Sequence, residues 1–163
     1  MVQRCFIAIG VAFCLVAVGF GQSTSSPALS PALRIHLQAE QFRTVTSIRG
    51  FPLGVRDGLQ TLFGTATLDI AEPGAEFQRA GAPNAGLPTR RLRAAGCAVD
   101  NHCLVYYERG GAIVTQRVAL FHWAPSETRF DFGGAAPAGL ATAEDVRKAI
   151  VSGAIKGGDK GPW

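Results

Sequence analysis

The sequence has little of what marks most recognisable enzymes and nucleic-acid-binding proteins. Its 163 residues carry 16 Lys and Arg against 12 Asp and Glu, and the formal net charge of +4 is too small to indicate a nucleic-acid partner. It has no Gly-x-Ser-x-Gly, no phosphate-binding glycine loop with its lysine, and no His-Glu-x-x-His. We therefore expect no cofactor and no metal ion, and no motif identifies a specific activity.

Only 17% of the residues are charged and 47% are hydrophobic, which excludes a disordered chain. The length suits one domain with its own core and does not suit two. We predict a flexible Ser- and Pro-rich lead-in over 22–32, a single domain over 33–155, and a C-terminal tail over 156–163 that is loose unless Trp163 docks.

The N-terminal residues 1–21 are typical of a secretory signal peptide. A basic start at Arg4 is followed by an apolar run over 5–20 and by small residues, Gly19 and Gly21, that suit a cleavage site. The alternative is a retained anchor, but a membrane span needs about 20 apolar residues and this run is shorter. We therefore expect a periplasmic or secreted protein that is free of the membrane once the leader is cleaved.

Two cysteines, Cys97 and Cys103, lie beyond the leader, and in an oxidising compartment a pair this close favours a disulfide. The alternative is a metal site that combines both cysteines with His102 and His122, but adjacent ligands at 102 and 103 do not match zinc spacings. The disulfide would close a polar loop whose Asp100, Asn101 and His102 form either a rigid recognition tip or a plain turn.

The elements predict an α+β fold, with an antiparallel sheet of about four to five strands and one or two helices packed on one face. Strict alternation over 33–40 favours a strand, and the alternative is a helix that begins at Ser30-Pro31. The pattern over 52–64 predicts a helix, 65–70 a strand and 71–90 a long irregular segment. A last helix over 143–152 begins after Thr142.

Two hairpins are predicted over 103–132. The Gly110-Gly111 pair indicates a two-residue turn that places 107 opposite 114, and a second turn places 123 opposite 128, 121 opposite 130 and 119 opposite 132. One face of this sheet is then apolar and aromatic, with the last helix packed on it: Leu104, Tyr106, Ile113, Ala119, Phe121, Trp123, Phe130 and Phe132.

The opposite face carries the best candidates for chemistry, His122, Arg129 and Asp131. An imidazole can move a proton, a guanidinium can hold an anion, and a carboxylate can orient the ring, as in a small secreted hydrolase of the phosphodiesterase or ribonuclease kind. The plain alternative is a solvated sheet edge. Tyr107 on the same face, with Trp163, suggests an exposed platform for carbohydrate.

With no catalytic motif present, our leading hypothesis is an exported, non-catalytic binding or inhibitor-like module that is stapled by one disulfide. Its partner would be an extracytoplasmic protein or glycan. The hydrolase and the carbohydrate-binding module are the alternatives.

Overall fold

The computed structural model describes residues 27–81, 84, 86–99, 101–158 and 163. The predicted leader and Asp100 lie outside these residues. Within the described ranges, no helix combines the length and the apolar character that a membrane span requires.

Five antiparallel strands form one sheet in chain order, and the α+β prediction is confirmed. The strands are β1 (Phe42–Thr44), β2 (Arg90–Ala98), β3 (His102–Arg109), β4 (Thr115–Ala124) and β5 (Glu127–Ala135). Three helices accompany them, together with a short 3-10 turn at Ile48–Gly50: α1 (Pro31–Ala39), α2 (Leu53–Phe63) and α3 (Ala143–Val151).

Helices cover both faces of the sheet, and the prediction placed one or two on a single face. Helix α2 buries Val55 and Leu59 against Val105, Tyr107 and Phe121. Leu37 of α1 and Val146 of α3 pack on the other face, against a second set of sheet residues: Leu104, Tyr106, Val118, Leu120 and Phe132. Since side chains alternate along a strand, β3 is buried on both sides, which explains its unbroken apolar run.

The predicted register of the first hairpin is wrong. Arg109 pairs with Thr115, so Tyr107 lies opposite Arg117 and residues 110–114 form the connection. The Gly110-Gly111 pair makes no tight turn because the irregular segment over 71–90 packs against it. The Gly110 N–H donates to the Thr89 carbonyl at 2.8 Å, and a Cβ on Gly110 would lie 1.6 Å from the Gln78 carbonyl oxygen.

This shift of three residues exchanges the faces of β4 relative to β3. Leu104 and Tyr106 therefore share their face with Leu120 and Val118, while Phe121 joins the face of Val105. Ile113, which the prediction placed in the core, is 73% exposed.

The second hairpin has the predicted turn, with Trp123 opposite Thr128 and Phe121 opposite Phe130. A β-bulge then intervenes, so Phe132 lies opposite Leu120 and not opposite Ala119 as predicted. Phe130 consequently faces α2 and Phe132 faces α1 and α3, and the single aromatic face of the prediction is divided between two cores.

The predicted strand over 33–40 is also wrong, because this segment is helix α1. It begins within the predicted lead-in, where the Ser30 side chain accepts a hydrogen bond from the Leu33 N–H at 3.1 Å and Pro31 occupies the first turn. Leu33 and Leu37, one helical turn apart, face the core, while Ile35 is 68% exposed. A strand would have placed Ile35 on the face of Leu37.

The remaining elements largely follow the prediction. Helix α2 ends at Gly64 with a φ of 65°, and α3 begins with a capping box between Thr142 and Asp145. The described part of 71–90 before β2 is irregular apart from a single bridge at Ala71. The predicted strand over 65–70 does not form.

The predicted disulfide is present between Cys97 on β2 and Cys103 on β3, which lie directly opposite each other. The cysteines join two strands where the chain turns through Asn101, the only described residue other than glycine with a positive φ.

Trp163 at the end of the tail is buried. Its backbone oxygen accepts hydrogen bonds from the Nε atoms of Arg90 and Arg109 at 3.1 and 3.2 Å. Its indole packs edge-on against Phe130, with 5.2 Å between ring centroids, and lies over Gly133, where any side chain would collide with it.

We expect Trp163→Ala to lower the free energy of unfolding by about 3–5 kcal/mol, because it empties a buried indole site. Urea denaturation followed by circular dichroism measures this loss. Ile113→Ala is the control, since its side chain is exposed and the expected change is within about 0.5 kcal/mol. Equal stability of the two variants would contradict the docking of Trp163.

Adjacent glycines test the cause of the register shift. We expect Gly110→Ala to lower the free energy of unfolding by about 1–3 kcal/mol, because the added methyl group meets the Gln78 backbone. Gly111→Ala should change it by less than about 0.5 kcal/mol, since the nearest atom to its Cβ is 3.7 Å away. Urea denaturation of both variants provides the comparison, and a larger loss at Gly111 would refute the explanation.

Candidate functional site

All three histidines of the chain meet two carboxylates at one end of the sheet. We call this group the histidine cluster; it consists of His36, Glu40, His102, His122 and Asp131. Its members come from α1, from the residue after α1, and from strands β3, β4 and β5. The cluster lies on the face of the sheet that α1 and α3 cover.

The β3–β4 register brings His102 and His122 together. They lie directly opposite each other, with 5.4 Å between ring centroids. Strand alternation places His102 on the same face as Leu104 and Tyr106, next to the second core. The polar end of an otherwise apolar strand pair therefore presents two imidazoles to one place.

The β-bulge contributes the first carboxylate. It leaves Asp131 without a partner in the β4–β5 ladder, and Asp131 Oδ2 lies 3.5 Å from His102 Nε2. The Arg129 guanidinium holds this carboxylate, since its Nε donates to Oδ1 at 2.6 Å and its Nη2 donates to Oδ2 at 3.3 Å. The hydrogen bond that Arg129 donates to Asp131 in turn raises the pKa of Arg129.

Helix α1 contributes the second carboxylate. His36 and Glu40 are four residues apart at the end of α1, so they share one face of the helix. Glu40 Oε1 lies 2.8 Å from His102 Nδ1 and 3.1 Å from His36 Nε2. The ring nitrogens of His102 therefore face different carboxylates, Glu40 on one side and Asp131 on the other.

Packing between helices fixes the end of α1. Arg147 of α3 donates from Nη1 to the carbonyls of Leu37 and Gln38, at 3.0 and 3.2 Å. Its Nε and Nη2 donate to the Glu144 carboxylate, which raises the pKa of Arg147 and keeps its charge at the negative end of the α1 dipole. The position of Glu40 thus depends on α3 as well as on α1.

The cluster is buried at its centre and open at its margins. The side chains of Glu40 and His102 are 5% and 6% exposed, that of Asp131 is 12% exposed, and that of His36 is 52% exposed. Among the described residues, Glu40 Oε2 has no hydrogen-bond partner although it is buried. A buried carboxylate oxygen without a partner is costly, and binding of a ligand, an ion or water would remove that cost.

Donor separations show which part of the cluster suits a metal ion. Bonds of about 2.0–2.1 Å in tetrahedral geometry require about 3.4 Å between ligand atoms. The 3.5 Å between His102 Nε2 and Asp131 Oδ2 matches this value, and a nitrogen of His122 lies within 4.8 Å of both. The 2.8 Å between His102 and Glu40 is instead a hydrogen-bond length.

One neutral tautomer of His102 would suit an ion at this place. With its proton on Nδ1, the ring would donate to Glu40 and leave the Nε2 lone pair directed at Asp131 and His122. A carboxylate behind a histidine in this position is the usual outer partner of a metal-binding imidazole. The arrangement can hold an ion with two imidazoles and one carboxylate.

The structure brings the predicted trio of His122, Arg129 and Asp131 together. The trio lies around His102, which the prediction did not include in it. Arg129 lies opposite His122 in the ladder as predicted, and both His122 and Asp131 face His102. His102 is the buried first residue of β3 and not a loop tip, while Asn101 beside it is exposed.

Other sequence candidates do not form a surface site. Tyr107 is fully buried against Phe63, where burial raises the pKa of its phenol, and Trp163 is buried too. The predicted carbohydrate platform is therefore absent from the described surface. Cys97 and Cys103 are joined to each other, and Cys103 packs on the face opposite His102, so neither sulfur joins the histidine cluster.

Sequence reasoning missed His36 and Glu40 as site residues. The signal that identifies them is their spacing of four residues, which is meaningful only in a helix. Once Ser30-Pro31 is taken as a helix start, His36 and Glu40 become a candidate pair of ligands.

Comparison of this chain with models of protein families, with curated proteins and with solved structures finds no match. The functional proposal therefore depends on the geometry of the histidine cluster.

Proposed function

We propose that the protein is an exported module that binds a divalent transition-metal ion through His102, His122 and Asp131. One observation carries the proposal: buried His102 faces one carboxylate at hydrogen-bond distance and another at the distance that separates two ligands of one ion. The 3.5 Å between His102 Nε2 and Asp131 Oδ2 is longer than a direct N–H···O hydrogen bond.

Each residue then has a distinct role. His102 and His122 supply neutral imidazole nitrogens, and Asp131 supplies a carboxylate oxygen that Arg129 orients. Glu40 accepts a hydrogen bond from the Nδ1–H group of His102, which would hold the ring in place and fix its tautomer. This donor set suits Zn²⁺, Cu²⁺ or Ni²⁺ better than Mg²⁺ or Ca²⁺, which prefer oxygen ligands alone.

The proposed location is outside the cytoplasm. The basic and apolar leader supports export, and the Cys97–Cys103 disulfide is of the kind that persists in an oxidising compartment. The sequence predicts no metal ion, because it has no metal-binding motif and because a site built on Cys97 and Cys103 would have poor ligand spacing. The proposed ligand set departs from that expectation and uses no cysteine.

Loss of a ligand should abolish tight binding. We expect the purified protein to bind Zn²⁺, and we expect His122→Ala and Asp131→Asn each to weaken its tightest site by about a hundredfold or more, beyond the usual effect of losing an outer partner. Competition with a chromophoric chelator measures the dissociation constant.

Glu127→Gln is the matched control, because Glu127 also contacts Arg129 but lies outside the cluster, with 59% of its side chain exposed. Its affinity should equal that of the parent protein. If the parent protein and the Asp131→Asn variant bind Zn²⁺ equally well, the proposed site is wrong.

A second candidate function, hydrolysis of a small anionic ester, is favoured by one observation. A cavity of about 390 Å³ lies beside the cluster and is lined by Ser30, Leu33, Arg129 and Asp131, among others. Three protein ligands leave a coordination position open, and a bound ion would there supply an activated water. Arg129 at the cavity wall is placed to attract the anionic group.

This candidate predicts that the zinc-loaded protein cleaves a chromogenic phosphodiester. Arg129→Lys should then lower kcat/KM at least about tenfold, because a lysine cannot hold both oxygens of the Asp131 carboxylate and attract the substrate anion at the same time. Zinc content of the variant, measured in parallel, excludes a simple loss of the ion. If the zinc-loaded parent protein shows no turnover, the hydrolase function is excluded and the metal-binding function stands.

A further inference from the structure

We infer that His36 and Glu40 form a second cation position at the outer margin of the histidine cluster. It goes beyond the proposed ion at His102, His122 and Asp131, because it uses the other side of the Glu40 carboxylate and an imidazole that the first ion does not need. The ligand is again a divalent transition-metal ion.

The helix presents both donors in one direction. His36 of α1 and Glu40, the residue after α1, are four residues apart, and 3.1 Å separates His36 Nε2 from Glu40 Oε1. This separation is a hydrogen-bond length, so the half-exposed His36 side chain would move outward by a few tenths of an ångström to share an ion with Glu40, and the backbone would not need to move. Arg147 holds this end of α1 in place through the Leu37 and Gln38 carbonyls.

The unpartnered oxygen of Glu40 is the independent observation that indicates a ligand. Glu40 Oε1 lies 2.8 Å from His102 Nδ1 and 3.1 Å from His36 Nε2, while Oε2 is buried and has no hydrogen-bond partner among the described residues. The side chain as a whole is only 5% exposed. An ion at Oε2 would satisfy this oxygen and leave the contact with His102 intact.

Space for the rest of the coordination shell lies next to this pair. A cavity of about 350 Å³ is lined by His36, Ala39, Glu40, Gln41, Ala98 and Val99. It is large enough for several water molecules, which complete the coordination when a protein supplies only two side chains. His36 at its mouth is half exposed, so ions in solution have access to it.

The donor set determines the class of ion and its relative affinity. One imidazole and one carboxylate favour Zn²⁺, Cu²⁺ or Ni²⁺ over Mg²⁺ and Ca²⁺. With one protein ligand fewer than the inner ion has, the outer ion should bind more weakly. The inner ion and the outer ion would then be connected through the hydrogen bond between His102 and Glu40.

Zn²⁺ titration by calorimetry of the parent protein and four variants tests this inference. We expect the parent protein to bind two equivalents of Zn²⁺, and we expect the dissociation constant of the second to be higher by on the order of tenfold or more. His36→Ala should lose only the weaker equivalent, and Asp131→Asn should lose only the tighter one. Glu40→Gln should lose the weaker equivalent and bind the tighter one about ten- to a hundredfold more weakly, because the amide oxygen is a poorer outer partner of His102 than the carboxylate.

Ile35→Ala is the matched control, since Ile35 lies on the same helix, is 68% exposed and offers no ligand atom. It should retain both equivalents. If His36→Ala also retains both equivalents, His36 is not a ligand and the inference is overturned. The inference is likewise overturned if Glu40→Gln retains the weaker equivalent that His36→Ala loses, because an exposed histidine alone would then bind the ion.

The failures of the two proposals are distinguishable. In one outcome the parent protein binds a single equivalent, which Asp131→Asn abolishes and His36→Ala does not. The second cation position is then excluded, and the proposed function stands. In the other outcome the single equivalent is abolished by His36→Ala and not by Asp131→Asn. This result supports the second cation position and excludes the proposed inner ion.

Discussion

Strand β3 is buried on both of its faces, and most of the structure depends on this constraint. Its apolar side chains alternate between a core under α2 and a core under α1 and α3. A strand in this position can carry polar groups only near its ends, where the layers open to water. His102 stands at one such end, and the histidine cluster forms there because α1, β4 and β5 converge on this end of β3, where the apolar layers stop.

Two irregularities turn that end into a candidate site. The β-bulge takes Asp131 out of the ladder and directs its carboxylate to His102, and the end of α1 brings Glu40 to the opposite nitrogen of the same ring. Bulges commonly re-aim a side chain at functional sites. A ligand at Glu40 Oε2, as proposed, would offset the cost of burying this oxygen without a partner.

Much of the fold was predictable wherever a local signal decided the outcome. Helix α2 has its apolar spacing and its C-terminal Gly64, and helix α3 has its Thr142 cap. Pro125 lies in the second turn, and the cysteine spacing suits the disulfide. The Gly110-Gly111 turn failed because a distant carbonyl, that of Gln78, occupies the space beside Gly110. The alternation over 33–40 failed because a helical cap at Ser30 outweighed it, and this error hid the pairing of His36 with Glu40.

The sequence by itself determined the α+β class, the partnership of Cys97 with Cys103, and the proximity of His122 to Arg129, because each is set by neighbours along the chain or across one tight turn. Only the tertiary structure decided that all three histidines meet. Their positions, 36, 102 and 122, are joined through helix packing, strand register and a bulge. These depend on contacts between residues far apart in sequence, and local propensity carries no information about them.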